Sequence, residues 1–219
     1  MLRKLTVFLL VLLLVFSFAC KPKTAEPAVA EVTATPEPTS EPALDQDLAI
    51  LYTNDVHCAV DSGIGYAGVA ALKQQLLDDG CYVALVDAGD AVQGDAIGTL
   101  SKGSYIIDIM NEVGYDVATP GNHEFDYGMD RFLELRDMAK FPYVSSNFSD
   151  LATGEPVLEP YTMLTFNGVK VAFVGVSTPL TISTSTPVFF QDADGNYIYG
   201  FGQKDGADGF YRIVQNVVD

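Results

Sequence analysis

Histidine is scarce in this 219-residue sequence: there are only two. Cysteine numbers three, and the 12 Lys and Arg are outweighed by 29 Asp and Glu, for a formal charge of −17. A surface that acidic cannot grip a nucleic-acid backbone or an anionic membrane through counterion release. A small phosphate ester remains within reach if bound cations reverse the potential locally. No apolar run approaches the ~20 residues of a membrane-spanning helix; Val7 to Phe16 holds ten. With 48% apolar and 19% charged residues, the rest is ordinary for a globular protein.

The N-terminus reads as an export signal. Met1–Lys4 carries two positive charges, the apolar run follows, and Ser17-Phe18-Ala19-Cys20 closes it. A small residue before cysteine resembles a bacterial lipoprotein signal, with Cys20 as the lipid anchor, although Ser17 stands where that motif usually has an aliphatic. Residues 21–47, with prolines at 22, 27, 36, 38 and 42, lack apolar periodicity and read as an extended linker. The 172 residues from Leu48 to Asp219 suffice for one domain with a core.

Within that domain the pattern predicts parallel strand–helix–strand units. Leu48–Thr53 and Tyr82–Asp87 read as buried strands. Tyr66–Asp79 reads as a helix with Val69, Leu72, Leu76 and Leu77 at helical spacing, stopped by Gly80. Ser104–Val113 reads as a second helix with Ile106, Ile107 and Met110 inward. A brief strand at Asp116–Ala118, a helix at Met129–Ala139 and a strand at Tyr143–Ser146 follow. Asn167-Gly168 then joins Tyr161–Phe166 to Val169–Val176 as a two-residue hairpin. Gly206–Asp219 reads as a helix with Phe210, Ile213, Val214 and Val217 on one face. The expected sheet is mixed.

Both histidines fall in a set of three polar clusters: Asp55-Val-His57, Gly89-Asp90 and Gly121-Asn-His-Glu-Phe-Asp126. Asp55 to Asp90 is 35 residues and Asp90 to Asn122 is 32, each about one strand–helix–strand unit. Such steps return the chain to one sheet edge, where open α/β sheets place ligands. In an extended segment Asp55 and His57 point the same way and can share an ion. Carboxylate with imidazole suits Zn, Mn, Fe or Co. Asp90 could bridge two ions, and Asn122 offers a neutral oxygen to the second. Two such metals would clamp a phosphoryl group and acidify a water. His123 is better placed to protonate a departing oxygen, with Asp126 fixing its tautomer. Glu124 supports the turn or its neighbours. The plain alternative for each cluster is a capping turn, and it weakens as three such clusters recur one unit apart. Cys58 is either a thiolate ligand or a small residue beside one; the oxygen and imidazole donors around it favour the second. Cys58 and Cys81 fall at opposite ends of adjacent strands, ~20 Å apart and beyond disulfide reach.

Asn54-Asp-Val-His57, Asp87-Ala-Gly-Asp90 with Gln93-Gly94, and Gly121-Asn-His-Glu-Phe-Asp-Tyr-Gly128 resemble the calcineurin-like metallophosphoesterases, in particular the exported 5′-nucleotidase/UDP-sugar hydrolase branch. The resemblance implies an α/β fold, a four-layer α/β/β/α sandwich with mixed sheets, here truncated at the C-terminus. It implies two divalent metals of the Zn, Mn, Co or Fe class, with Asp55 and His57 on one ion, Asp90 bridging and Asn122 on the other. His123 and Asp126 become the catalytic pair. The expected partner is a nucleotide or other small phosphate ester, with no nucleic-acid polymer and membrane contact only through a lipid on Cys20. The family has two further histidine-centred metal segments and a base-holding domain that this sequence does not reach. The expectation is therefore an N-terminal portion of an exported hydrolase that binds metal incompletely on its own. A tethered non-catalytic binding lipoprotein and a phosphodiesterase or UDP-sugar hydrolase are the alternatives.

Overall fold

A computed structural model describes residues 42–202 and 206–219. The leader with Cys20, and the linker up to residue 41, lie outside the described residues. The last linker residues are tied to the domain: Tyr82 donates its N–H to Asp47 O and its hydroxyl to the Asp45 carboxylate, which Asn167 Nδ2 also reaches.

The fold is mixed α/β. Strands β1 (Leu48–Thr53), β2 (Tyr82–Asp87) and β3 (Val117–Ala118) form a parallel sheet in that order. The first two occupy the expected residues, because each is a short apolar run bounded by turn residues. Strand β2 is mostly buried, with only Tyr82 and Val86 intermediate, whereas β1 is not. The latter is an edge strand that alternates, leaving Tyr52 74% exposed. Helices α1 (Gly65–Asp78), α2 (Ala96–Ser101), α3 (Ser104–Val113) and α4 (Met129–Met138) connect or follow the strands.

Helix α3 buries Ile106, Ile107 and Met110 as its spacing predicts. Helix α1 departs from expectation. Tyr66 is its buried residue, Val69 packs partly, and Leu72 and Leu77 are exposed. Its inner face instead carries Lys73, half-buried, whose ammonium meets Asp116 at 3.1 Å and the Gly114 carbonyl. That face is thus shared by half-buried Leu76 and a lysine tied to the next unit.

The expected strand Tyr143–Ser146 is only a pair of bridges, Tyr143 to Ala118 and Val144 to Glu159. The reason lies in its partners: Val144, Ser145 and Ser146 donate successively to Ala118, Glu159 and Gly175, so no single ladder forms. Strands β4 (Ser149–Asp150) and β7 (Tyr199–Gly200) pair antiparallel. The hairpin of β5 (Tyr161–Phe166) and β6 (Val169–Val174) turns at Asn167-Gly168, both with positive φ, as this two-residue turn requires. It meets the sheet through Tyr82 and Phe166 and across a cleft lined by Ile50, Val86, Val117, Val171 and Phe173.

The core is aromatic: Phe125 has ring contacts with Phe132, Phe148, Phe190 and Phe201, all fully buried. Helix α5 (Thr181–Thr184) and helix α6 (Gly206–Val218) complete the elements used below. In α6, Phe210, Ile213, Val214 and Val217 are half-buried while Tyr211, Gln215 and Asn216 are exposed, as expected. No helix among the described residues is long and apolar enough to cross a membrane.

Candidate metal centre

The three clusters meet at the carboxyl ends of β1, β2 and β3. Backbone bonds stitch them together: Ala88 N to Thr53 O, Asp55 N to Gly89 O, His57 N to Asp90 O and Cys58 N to Ala91 O, all 2.8–3.0 Å. The cost is local strain. Asp55, His57, Cys58 and Asp90 all hold positive φ, a region that non-glycine residues seldom occupy and that clusters at functional sites. Asp55 and His57 therefore do not share a face by strand alternation, as their spacing suggested. They meet through left-handed turns, with His57 Nε2 3.8 Å from Asp55 Oδ1.

His57 Nδ1 lies 3.1 Å from the carbonyl of Gln93. A carbonyl only accepts, so Nδ1 is the donor here, and in the neutral ring the lone pair lies on Nε2. Donor atoms of His57, Asp90 and His123 all lie within 4.8 Å of one another. The two imidazoles approach edge to face, with ring centroids 4.8 Å apart. Asp90 Oδ1 accepts the backbone N–H of His123 at 2.7 Å. Burial raises the Asp90 pKa, partly offset by that N–H and by the His123 charge.

His123 opens a short 3-10 turn, His123–Phe125, and its Nδ1 sits 2.6 Å from Asp126 Oδ2. That pairing leaves Nε2 as the free ring nitrogen. Burial pulls the imidazolium down, but the hydrogen bond and charge of Asp126, with Asp90 and Glu124 behind, lift its pKa above the ordinary value. Ser185 Oγ donates to the other Asp126 oxygen at 3.3 Å. Asn122 points its amide nitrogen at Thr184 O, 3.4 Å away. Of the residues expected from sequence, His57, Asp90 and His123 thus form one cluster. Asp55 adjoins it through His57, and Asp126 through His123. Asn122 shares the loop with its amide bound to α5.

Several supporting groups have roles that cluster spacing alone does not assign. Asp87 is buried beneath the site, accepting from Thr53 Oγ1 at 2.5 Å and Gly89 N at 2.9 Å; burial, with Glu124 nearby, pushes its pKa up to about 7. A buried trio holds the third loop from behind. Ser177 Oγ donates to Pro120 O and lies 3.0 Å from Ser145 Oγ, while Asn147 brackets the Ser177 backbone. Partners 30 or more residues apart leave no local pattern. Cys58 is the small neighbour rather than a ligand. Its thiol is buried, burial raises its pKa to about 11, and it lies 3.4 Å from Ala91 O. Gly98 is the reason it fits, since a Cβ there would strike Cys58 Sγ. Both described cysteines are free thiols.

Comparison with known proteins gives the same picture. The calcineurin-like phosphoesterase family matches residues 48–211. A 5′-nucleotidase of Vibrio parahaemolyticus is 32% identical over 155 residues, 67% of this chain and 28% of its own length. A snake venom 5′-nucleotidase of Gloydius brevicauda is 37% identical over 159 residues, 64% of this chain and 27% of its own. The solved NAD nucleotidase of Haemophilus influenzae superposes with a TM-score of 0.61 at 26% identity, covering 77% of this chain and 31% of that one. A putative 5′-nucleotidase from Staphylococcus aureus, 18% identical with a TM-score of 0.64 over 78% of this chain and 34% of its own, shares the fold. The chain spans under a third of the length of the curated relatives it matches. On the span of the family match and on the site it encloses, the chain belongs to the calcineurin-like phosphoesterase family.

Proposed function

We propose that this site is the metal-binding part of a phosphoester hydrolase acting on nucleotides. One observation carries the reading: His57, Asp90 and His123 converge within 4.8 Å while Asp126 grips the far side of His123. The donors fit divalent ions of the Zn, Mn, Co or Fe class, since the His57 tautomer frees Nε2 beside two carboxylates. Asp55 and His57 would hold one ion, Asp90 would bridge, and Asn122 would serve a second. Bound metal would supply Lewis-acid activation of water and neutralise charge on the phosphoryl oxygens.

The chain's own contribution centres on His123. With Nδ1 committed to Asp126, its Nε2 can deliver a proton to the departing oxygen, and the raised pKa favours the protonated ring. Asp126 fixes the ring and its tautomer, and Ser185 steadies Asp126. Nucleotides are the favoured substrates because the relatives named above are 5′-nucleotidases and a nucleotidase. The signal sequence and Cys20 support export with a lipid tether.

The test is phosphate release from AMP by the protein that carries this chain, with Mn²⁺ and with EDTA. Release should require metal, and Asp90→Asn or His123→Ala should lower turnover by about 10²–10⁴-fold with the fold intact. Wild-type turnover in both variants removes the assignment.

A further inference from the structure

Of the three loops that carry the centre, two are joined directly, one ending in Asp90 and the other holding Asn122 and His123. They touch through glycines: a Cβ on Gly89 would strike the Gly121 nitrogen, and one on Gly121 would strike the Asp90 carboxylate. Beneath this contact lies Glu124, 1% exposed. Its Oε2 accepts Asp90 N at 2.8 Å and Gly121 N at 2.7 Å, one N–H from each loop. Its Oε1 accepts Ala91 N at 2.8 Å. The Asp90 carboxylate returns the connection by accepting His123 N.

We propose that Glu124 is a positioning residue of the metal centre, clamping the Asp90 loop to the Asn122–His123 loop. It fixes the span between donors that would otherwise sit on two separate turns. This rests on the metal-centre reading above. The chemistry requires a carboxylate. Three N–H groups from two loops converge on two oxygens, and an ionised carboxylate is an acceptor at both. A glutamine would turn an NH₂ toward at least one of those donors, leaving a buried N–H unmet. Oxygen Oε2 takes one N–H from each loop and Oε1 adds a second from the Asp90 side, so both oxygens serve the clamp. A merely structural carboxylate would anchor the 3-10 turn and leave the donor span unaffected.

The experiment measures Mn²⁺ affinity of the 219-residue chain by calorimetry, beside its circular dichroism and thermal midpoint. Glu124→Gln should stay folded and bind Mn²⁺ about 10- to 100-fold more weakly, the loss typical of groups that orient metal ligands. Phe166→Leu, which loosens the hairpin's contact with Tyr82 at the start of β2, the end of that strand opposite both loops, should lower the midpoint and leave affinity unchanged. A folded Glu124→Gln chain with unchanged affinity overturns the proposal, as does an equal loss in Phe166→Leu. Amide exchange of the metal-free wild type decides the matter even if Glu124→Gln does not fold. The Asp90, Ala91 and Gly121 amides should be strongly protected, and exchange at open-loop rates overturns the clamp. Failure of the wild-type chain to take up Mn²⁺ while those amides are protected has a different meaning: it overturns the metal-centre reading and takes the positioning role with it.

Discussion

Two buried layers share the turn at His123–Phe125, and they are built on opposite rules. On one side Glu124 and, near it, Asp87 form a layer of carboxylates under the site, each satisfied by a fixed set of donors. On the other, Phe125 sits among Phe132, Phe148, Phe190 and Phe201. The aromatic layer stabilises through area, which is shared and partly redundant. The carboxylate layer acts through direction, and each oxygen has one role. Loss of a ring should therefore cost stability with geometry kept, whereas loss of a carboxylate should alter the site or its pH response before the fold.

The largest stability effect should come from the aromatic side. Phe125→Ala removes the hub of four ring contacts and should cost about 3–5 kcal/mol in urea denaturation. A cost under about 1 kcal/mol would show that the layer repacks freely and would erase the contrast. A smaller effect, with a pH signature, should come from Asp87. Its pKa is pushed up to about 7 by burial, so the folded state holds this proton more tightly than the unfolded chain does. The stabilisation it gives is complete below about pH 4 and is lost as pH rises through about 7. In EDTA, Asp87→Asn, which mimics the protonated acid, should flatten the fall in stability across that window. An unchanged slope would place the titration elsewhere. The smallest effect concerns a single ring. Histidine NMR titration of the metal-free chain should find His123 above 6.5, and Asp126→Asn should bring it below, because burial then acts with less opposition. Equal values in both forms would separate Asp126 from His123.

The same contrast explains what could be read in advance. Strands β1 and β2 and helix α3 match their expected residues because local periodicity and bounding turn residues suffice for them. The hairpin at Asn167-Gly168 was legible for a similar reason: backbone preference is local. Helix α2 was not legible. It is six residues long with Gly98 inside it, and that glycine answers to Cys58, forty residues earlier. The irregular path of Tyr143–Ser146 depends on three distant partners, and α1's inner face was set by Lys73 reaching Asp116. At the site, residue types and spacing pointed to Asp55, His57, Asp90, Asn122, His123 and Asp126. Their backbone geometry was not apparent, since positive φ at three ligand candidates violates local preference and is sustained only by bonds between loops. The carboxylates of Asp87 and Glu124 looked ordinary for the same reason: their donors belong to tertiary structure.

The contact between Gly89 and Gly121 inverts the usual tolerance of a protein to sequence drift. Loops commonly absorb replacements while interiors resist them. Here a single added methyl on buried Gly89 or half-buried Gly121 would pry apart two turns of the site, whereas the phenylalanine-rich interior could exchange one ring for a leucine and survive. Random mutagenesis of this chain should therefore find its barest residues to be its least replaceable.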